Sequence, residues 1–307
     1  MTDRRMLLVH AHPDDETLAN GATMARYAAE GAGVTLLTCT RGEEGLVLVP
    51  GLQHLASGRD DGLGAHRETE LAAAMTALGV ADHRFLDTVR LPGDAGRPAP
   101  RYRDSGMAWD ADHRAVAAPD TGPDAFSRSD VDEAAARVAA LVRELRPHVV
   151  VTYEPGGGYG HPDHVQAHRV AMRGVELAAA EGPGGSAWTV PKVYWSVLPD
   201  SEVRAALRRA ADQGDLPPGW DPEGPLPSMV VPDEKITAVV DGHAYLDRKI
   251  AALEAHVTQV IVEDGVVHVG DGIRQPIVGS EFYQLVRGRA APAEPGDREG
   301  DLFAGLD

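Results

Sequence analysis

The segment Val9–Gly21, VHAHPDDETLANG, sets two histidines, two aspartates and a glutamate between His10 and Glu16. Imidazole nitrogens and carboxylate oxygens are donors that a zinc-type ion accepts, and a hydrolytic site of that kind needs three protein donors plus one position for water. His12 and Asp15, separated by a turn at Pro13, can aim an imidazole and a carboxylate at one point, so a third donor must come from elsewhere. The segment HPDH, His161–His164, supplies it. It begins on a similar proline turn, behind the run GGGYG, whose glycines permit close backbone approach and positive φ. One of Asp14 and Asp15 then serves as ligand, and the other hangs beside the ion's water and takes its proton. Spacing does not assign which is which. His161, oriented by Asp163, is placed to stabilise an oxyanion or to protonate a leaving amine. Water, base, Lewis acid and proton donor together describe hydrolysis of an amide or ester.

The neighbouring residues have plainer readings. A single aspartate at this point would ordinarily cap a helix, and Glu16 in the first turn would complement the helix dipole; Glu16 is left with that structural task. His10 lies two residues before His12 on a strand, so both point the same way, and packing or support suits it better than ligation. His168, one helical turn after His164, is assigned a surface or supporting role. Cys39, the sole cysteine, stands inside VTLLTCT and reads as strand packing, and no intrachain disulfide can form.

These residues need a frame that brings two distant turns to one place. MLLVHA, VTLLTC, HRFLD, HVVVTYE and KVYWSVL read as buried strands. They alternate with the amphipathic segments TLANGATMARYAAEGA, HRETELAAAMTALGV, DVDEAAARVAALVRELRP and HPDHVQAHRVAMRGVELAAAE. Gly79 and Pro147 punctuate helix ends. This alternation predicts an α/β, Rossmann-like fold with a mostly parallel sheet and helices on both faces. Ligands in such sheets bind outside the carboxyl ends of strands, where both His/Asp turns fall. Two long segments, 41–65 and 88–129, also leave strand carboxyl ends and are expected to wall the active face. Residues 1–212 are expected to form the catalytic domain. After a proline-rich connector, 213–287 read as a smaller α+β subdomain with a hairpin turning at Asp264-Gly265. Residues 288–307 read as a disordered tail.

The chain has 307 residues and a formal net charge of −18. Such acidity argues against a nucleic-acid partner and against an anionic membrane surface. No apolar stretch approaches the ~20 residues of a membrane span, and the N-terminus lacks the apolar run of a signal peptide. A cytoplasmic protein is expected, and the sequence does not indicate an oligomeric state. A non-catalytic sugar- or nucleotide-binding α/β module is a poor alternative. Its G-x-G-x-x-G fingerprint should follow the first strand, yet H-P-D-D-E stands there with no glycine before Gly21.

Ala11-His12-Pro13-Asp14-Asp15-Glu16 and His161-Pro162-Asp163-His164 resemble the paired A-H-P-D-D-E and H-P-D-H motifs of the LmbE/PIG-L zinc-dependent N-deacetylases. The segments TLANGATMARY, TCTRGEEG, RYRDSGM and VVVTYEPGGGYGHPDHVQAH extend the resemblance towards the mycothiol-pathway deacetylases of that family. The resemblance implies removal of the acetyl group from an N-acetylglucosaminyl-inositol. It implies His12, Asp15 and His164 as ligands of one Zn2+ per chain, with Fe2+ as the other candidate ion. It implies Asp14 as base, His161 with Asp163 as the charge-stabilising pair, and Tyr159 as a mobile phenol near the substrate carbonyl. It further points to Arg67 and Asp104 as sugar or inositol contacts. From the residues alone, Arg67 reads equally well as a solvated helix charge paired with Glu68 or Glu70, and Asp104 as a turn residue before Ser105-Gly106. Alternatives within the family are a mycothiol S-conjugate amidase and another sugar N-deacetylase.

Overall fold

A computed structural model describes residues 3–96, 100–109, 115–119, 121–214, 216, 220–270, 273–291 and 297–306. Along the chain run β1 (Arg5–His10), α1 (Asp15–Ala29), β2 (Gly33–Thr38), α2 (Leu63–Leu78), β3 (Asp82–Phe85), β4 (Met107–Trp109), β5 (Ala115–Ala117), α3 (Val131–Leu145), β6 (Val149–Tyr153) and α4 (Pro162–Ala178). Then follow β7 (Lys192–Pro199), α5 (Asp200–Gln213), β8 (Val230–Val231), β9 (Ala238–Asp241), α6 (Leu246–Ala255), β10 (Val260–Glu263), β11 (Val266–Val269), β12 (Ile273–Pro276) and β13 (Ser280–Arg287).

The main sheet runs β3-β2-β1-β6-β7-β13-β9, with β8 paired to β7. From β3 to β7 it is parallel, as the alternating sequence predicts. β1 is buried on both faces, which explains its uninterrupted apolar run. Leu7 and Val9 join the core beneath α3 and α4, whereas Met6 and Leu8 join the core beneath α1, α2 and α6. The chain winds outward from β1 to β3, then returns to place β6 on the other side of β1. The strand order therefore reverses between β1 and β6, the crevice where open α/β sheets bind ligands. Both His/Asp turns leave carboxyl ends at this switch point.

Local sequence explains the helix boundaries. Asp130 caps α3 by accepting from Glu133 N at 2.9 Å, and Gly79 ends α2 at φ 77°. Helices α3 and α4 approach closely at Gly174, where an added Cβ would lie 2.6 Å from Val138 Cγ1. Cys39 is buried in the core, and burial pushes its thiol pKa up, as packing requires of an unused thiol.

The C-terminal part departs from expectation. β13 lies between β7 and β9 and pairs antiparallel with both, so residues after 213 extend the main sheet rather than forming a separate unit beside it. The hairpin at Asp264-Gly265 is present, with both residues at positive φ, in a small β10-β11-β12 sheet. The expected disorder of 288–307 does not hold for 297–306. Leu302 and Phe303 are buried in the core, and the Glu299 carboxylate accepts from Lys192 Nζ at 2.7 Å and from Tyr194 OH at 2.6 Å. A buried lysine demands such a partner, and this one comes from the tail. Residues 292–296 and 307 of that expected tail lie outside the described residues.

The long loops do wall the active face. The 41–65 segment carries a short 3-10 helix, Pro50–Leu55, and the 88–129 segment carries the β4–β5 hairpin. Both contribute buried residues near the switch point, including Glu43, Asp104 and Ser105.

Candidate metal centre and active site

Beyond β1 the chain makes a tight turn through His12, Pro13 and Asp14 into α1. Asp14 has φ 109° and ψ −36°, a conformation that costs a residue with a side chain about 1–3 kcal/mol. It stands at the N-cap of α1 but makes no side-chain cap hydrogen bond. Capping is therefore not what fixes it. Beyond β6, Gly157 at φ 69° approaches α4 so closely that a Cβ would sit 2.6 Å from Val165 N. That approach lets the Gly157 carbonyl accept from His164 Nδ1 at 3.2 Å.

The two turns bring two ring nitrogens and both oxygens of one carboxylate together. His12 Nδ1 lies 3.2 Å from Asp15 Oδ2, His164 Nε2 lies 3.3 Å from Asp15 Oδ1, and the two nitrogens are 3.3 Å apart. Tetrahedral ligands with bonds of about 2.0–2.1 Å sit about 3.3 Å from one another; each of these contacts has that length, although the two to Asp15 end on different oxygens. The ring nitrogens turned away from it are occupied. His164 Nδ1–H donates to Gly157 O, and His12 Nε2–H faces Asp163 Oδ2 at 3.3 Å and Asp104 Oδ1 at 3.5 Å. With both rings neutral, each presents a lone pair to the other, an arrangement that a cation between them satisfies. The charges agree. Burial disfavours a charged His12, yet Asp104, Asp15 and Asp163 raise its pKa well above the ordinary value. Burial likewise opposes ionisation of Asp15, but His164 and His12 hold its carboxyl well below the ordinary range. His12, Asp15 and His164 thus fit a divalent ion.

His161 brings a nitrogen within 4.8 Å of those of His12 and His164. Its Nδ1, however, accepts from Asp163 N at 3.1 Å. The neutral ring therefore carries its proton on Nε2 and acts as a donor. Burial, reinforced by His12 and His164, holds its pKa well below the ordinary value and keeps it neutral. The Asp163 carboxylate does not orient His161, contrary to the sequence reading. It accepts from Ser105 N at 2.8 Å and from the Ser105 hydroxyl, and it faces His12. Residues two apart at a helix start do not face each other, so proximity in sequence misleads here.

Asp14 is enclosed, with 15% of its side chain exposed, and Arg67 Nη2 lies 3.1 Å from its Oδ2. Burial raises its pKa to about 6 against the pull of Arg67, close to where a general base works best. Arg67 is buried rather than a solvated helix charge. Its guanidinium donates to Gly42 O at 2.8 Å and to Pro13 O as well as to Asp14. Glu70 and Glu68, the helical partners that spacing offered, bind Thr258 and Arg41 instead. The Arg67 Nε has no partner among the described residues. Asp104 is also buried. It accepts from Gly106 N at 2.9 Å as a turn residue does, yet it faces His12 as well, which holds its carboxyl below the ordinary range although burial opposes this. Tyr159 stands at the rim, 38% exposed, its ring 5.1 Å from that of His164 and 6.1 Å from that of Trp109 on β4. His10 and His168 support rather than line the site. His10 Nε2 contacts Asn20 Oδ1 at 2.9 Å, and His168 Nδ1 contacts Tyr153 O at 2.8 Å.

Tyr153 was not singled out by the sequence. Its hydroxyl donates to Asp15 Oδ2 at 2.7 Å and accepts from Ala11 N at 2.9 Å, and its ring stacks on His164 with centroids 4.4 Å apart. Its position at the carboxyl end of β6, one strand from β1, is the signal that could have found it. Ser105, inside the RYRDSGM segment, and His256, from a segment without a local motif, were also missed. No helix among the described residues is long and apolar enough to cross a membrane.

Comparison with known proteins agrees with this geometry. Residues 7–175, which span both motifs, match the family described as PIG-L: GlcNAc-PI de-N-acetylase. The chain is 52% identical to the 1D-myo-inositol 2-acetamido-2-deoxy-alpha-D-glucopyranoside deacetylase of Kribbella flavida, over 100% of this chain and 99% of that protein. It is 53% identical to the protein of the same name from Kineococcus radiotolerans, over 99% of this chain and 83% of that one. Among solved structures, GalB, the 4-carboxy-2-hydroxymuconate hydratase of Pseudomonas putida, aligns with a TM-score of 0.55 at 18% identity, over 94% of this chain and 99% of that one. That likeness concerns the fold and carries no activity. The paired motifs, the match across them and the full-length similarity show that the chain belongs to the PIG-L family of de-N-acetylases.

Proposed function

We propose that the protein is a zinc-dependent N-deacetylase that hydrolyses the acetamide of 1D-myo-inositol 2-acetamido-2-deoxy-α-D-glucopyranoside, a step of mycothiol biosynthesis. The reading rests above all on the mutual contacts of 3.2–3.3 Å among the His12 and His164 ring nitrogens and the two oxygens of Asp15, with the enclosed carboxylate of Asp14 adjoining them in sequence. In this reading those three residues hold one Zn2+. The ion supplies Lewis acidity and lowers the pKa of a water it binds.

The chain's own residues carry the remaining work. Asp14, with its pKa near 6, takes the proton of the attacking water. His161 donates from Nε2 to the charge that develops on the substrate amide, and Tyr159, exposed at the rim, donates a hydrogen bond to the acyl oxygen. The water oxygen bonds to the acyl carbon, the carbon–nitrogen bond breaks, the proton held by Asp14 passes to the departing nitrogen, and acetate and the free amine leave. Tyr153 and Asp163 hold Asp15 and His12 in place, as partners of ligating groups do. Arg67 and Asp104 have their charges committed to Asp14 and His12. They shape the substrate site through those residues.

The test is a direct comparison of two substrates at equal concentration. The proposal expects faster release of acetate from the N-acetylglucosaminyl-inositol than cleavage of a mycothiol S-conjugate. Faster cleavage of the conjugate would assign the chain to the amidase reading instead.

A further inference from the structure

The turn that carries Asp14 is held from two sides. On one side Arg67, on α2, binds the Pro13 carbonyl and the Asp14 carboxylate. On the other side the Asp14 amide donates to Glu16 Oε2 at 2.9 Å. Glu16 is fully buried, and its Oε1 faces Nε2 of His256 at 3.0 Å. His256 follows α6 and is itself fully buried.

The His256 segment is rigidly placed. Gln259 N and Val260 N donate to His256 O at 2.9 and 3.0 Å, and Thr258 N and its hydroxyl both donate to Glu70 of α2 at 2.8 Å. Leu48 N from the 41–65 loop donates to Thr258 O at 2.9 Å. The segment that carries the imidazole is thus tied to α2, the helix that also carries Arg67, while the ring itself is held through Nε2 to Glu16. Burying an ion pair contributes little net stability compared with apolar residues of similar volume. This pair ends on one backbone amide, and that amide belongs to a residue at φ 109°. Left to itself, such a turn relaxes towards negative φ, which swings the Asp14 carboxylate away from its present place.

We infer that His256 is a positioning residue for the hydrolysis: through the Glu16 carboxylate it pins the Asp14 amide and so keeps the general base in its strained, aimed conformation. The inference rests on the reading of Asp14 as base. It gives the C-terminal segment a part in the reaction, although no atom of His256 touches substrate.

The test compares His256→Leu, which removes the donor, with His256→Gln, whose side-chain amide can restore a donor near the position of Nε2. Steady-state kinetics, bound metal and a crystal structure of each variant are measured on the full chain. His256→Leu is expected to lower kcat about tenfold to hundredfold, the range that releasing such strain represents. KM and metal content should stay within twofold, and Asp14 should show negative φ. His256→Gln is expected to recover kcat to within about threefold of wild type. A purely structural pair would lower thermal stability and leave kcat per folded, metal-loaded chain unchanged. That result overturns the inference, as does equal loss of kcat in both variants, or loss of metal in proportion to activity. Should His256→Leu fail to fold, His256→Asn, too short to reach Glu16, takes its place against His256→Gln, and equal kcat in the two overturns the inference. Asp14→Asn, assayed alongside, separates the two readings. If it stays active the base assignment fails, whereas an inactive Asp14→Asn with unimpaired His256 variants refutes the positioning role alone.

Discussion

Asp14→Asn should make the protein inactive and more stable at once. Asparagine keeps the shape of aspartate and tolerates positive φ better than most residues, so the turn at φ 109° need not move. What disappears is a carboxylate that folding disfavours. Burial lifts the Asp14 pKa from an ordinary 3.8 to about 6, with the attraction of Arg67 already counted. A folded form that holds its proton more tightly than the unfolded chain loses stability as pH rises between those two values. The loss is complete above about pH 7 and amounts to roughly 3 kcal/mol in the metal-free protein. At pH 5 it is about half that. Urea unfolding of chelator-treated protein measures the difference directly. Asp14→Asn is expected to exceed wild type by roughly 2–3 kcal/mol at pH 7.5 and by about half as much at pH 5. Rate should fall by about 10²–10⁴, the ordinary contribution of a general base, with metal retained. A variant no more stable than wild type at pH 7.5 would show that the buried carboxylate is not under strain, and the argument for its raised pKa would fail.

Three further expectations follow from particular contacts. Tyr153→Phe removes the 2.7 Å bond to Asp15 and leaves the Ala11 amide without its acceptor; zinc affinity measured by competition with a chelator should fall about 10- to 100-fold. His161→Ala should retain metal and lose rate, whereas His164→Ala should lose metal, as metal analysis of the purified variants will show; loss of metal in both would make His161 a ligand. Gly174→Ala forces a methyl against Val138 at 2.6 Å and should destabilise the α3–α4 contact by about 1–3 kcal/mol without changing KM.

The sequence made the catalytic half of the sheet readable because each strand there is a continuous apolar run and each helix ends on a legible stop such as Gly79. The two motifs were readable because histidine and aspartate on proline turns at strand ends have few structural uses in such density. What escaped was tertiary. β13 is half-exposed along much of its length, so SEFYQLVR carries no strong strand signature, yet it closes the sheet onto β9. The composition of the tail hid Glu299, whose partner Lys192 is more than 100 residues away, and Leu302 and Phe303, which meet Tyr27 of α1. Asp163 was paired with His161 by nearness in sequence, although its carboxylate reaches His12 through space. Arg67 was offered to Glu70 by helical spacing, but Asp14 outcompetes that pairing because a buried guanidinium needs a buried acceptor. Glu16, read as a dipole complement, is fully buried against His256. Residues that position other residues have no spacing rule, and the fold alone discloses them.

The most direct measurement titrates chelator-treated protein with zinc while bound metal and acetate release from N-acetylglucosaminyl-inositol are followed in the same samples. The rate is expected to rise with occupancy and level off at one ion per chain, and His164→Ala to show neither binding nor rate. Full acetate release from metal-free protein, or stoichiometric zinc in His164→Ala, would contradict that expectation.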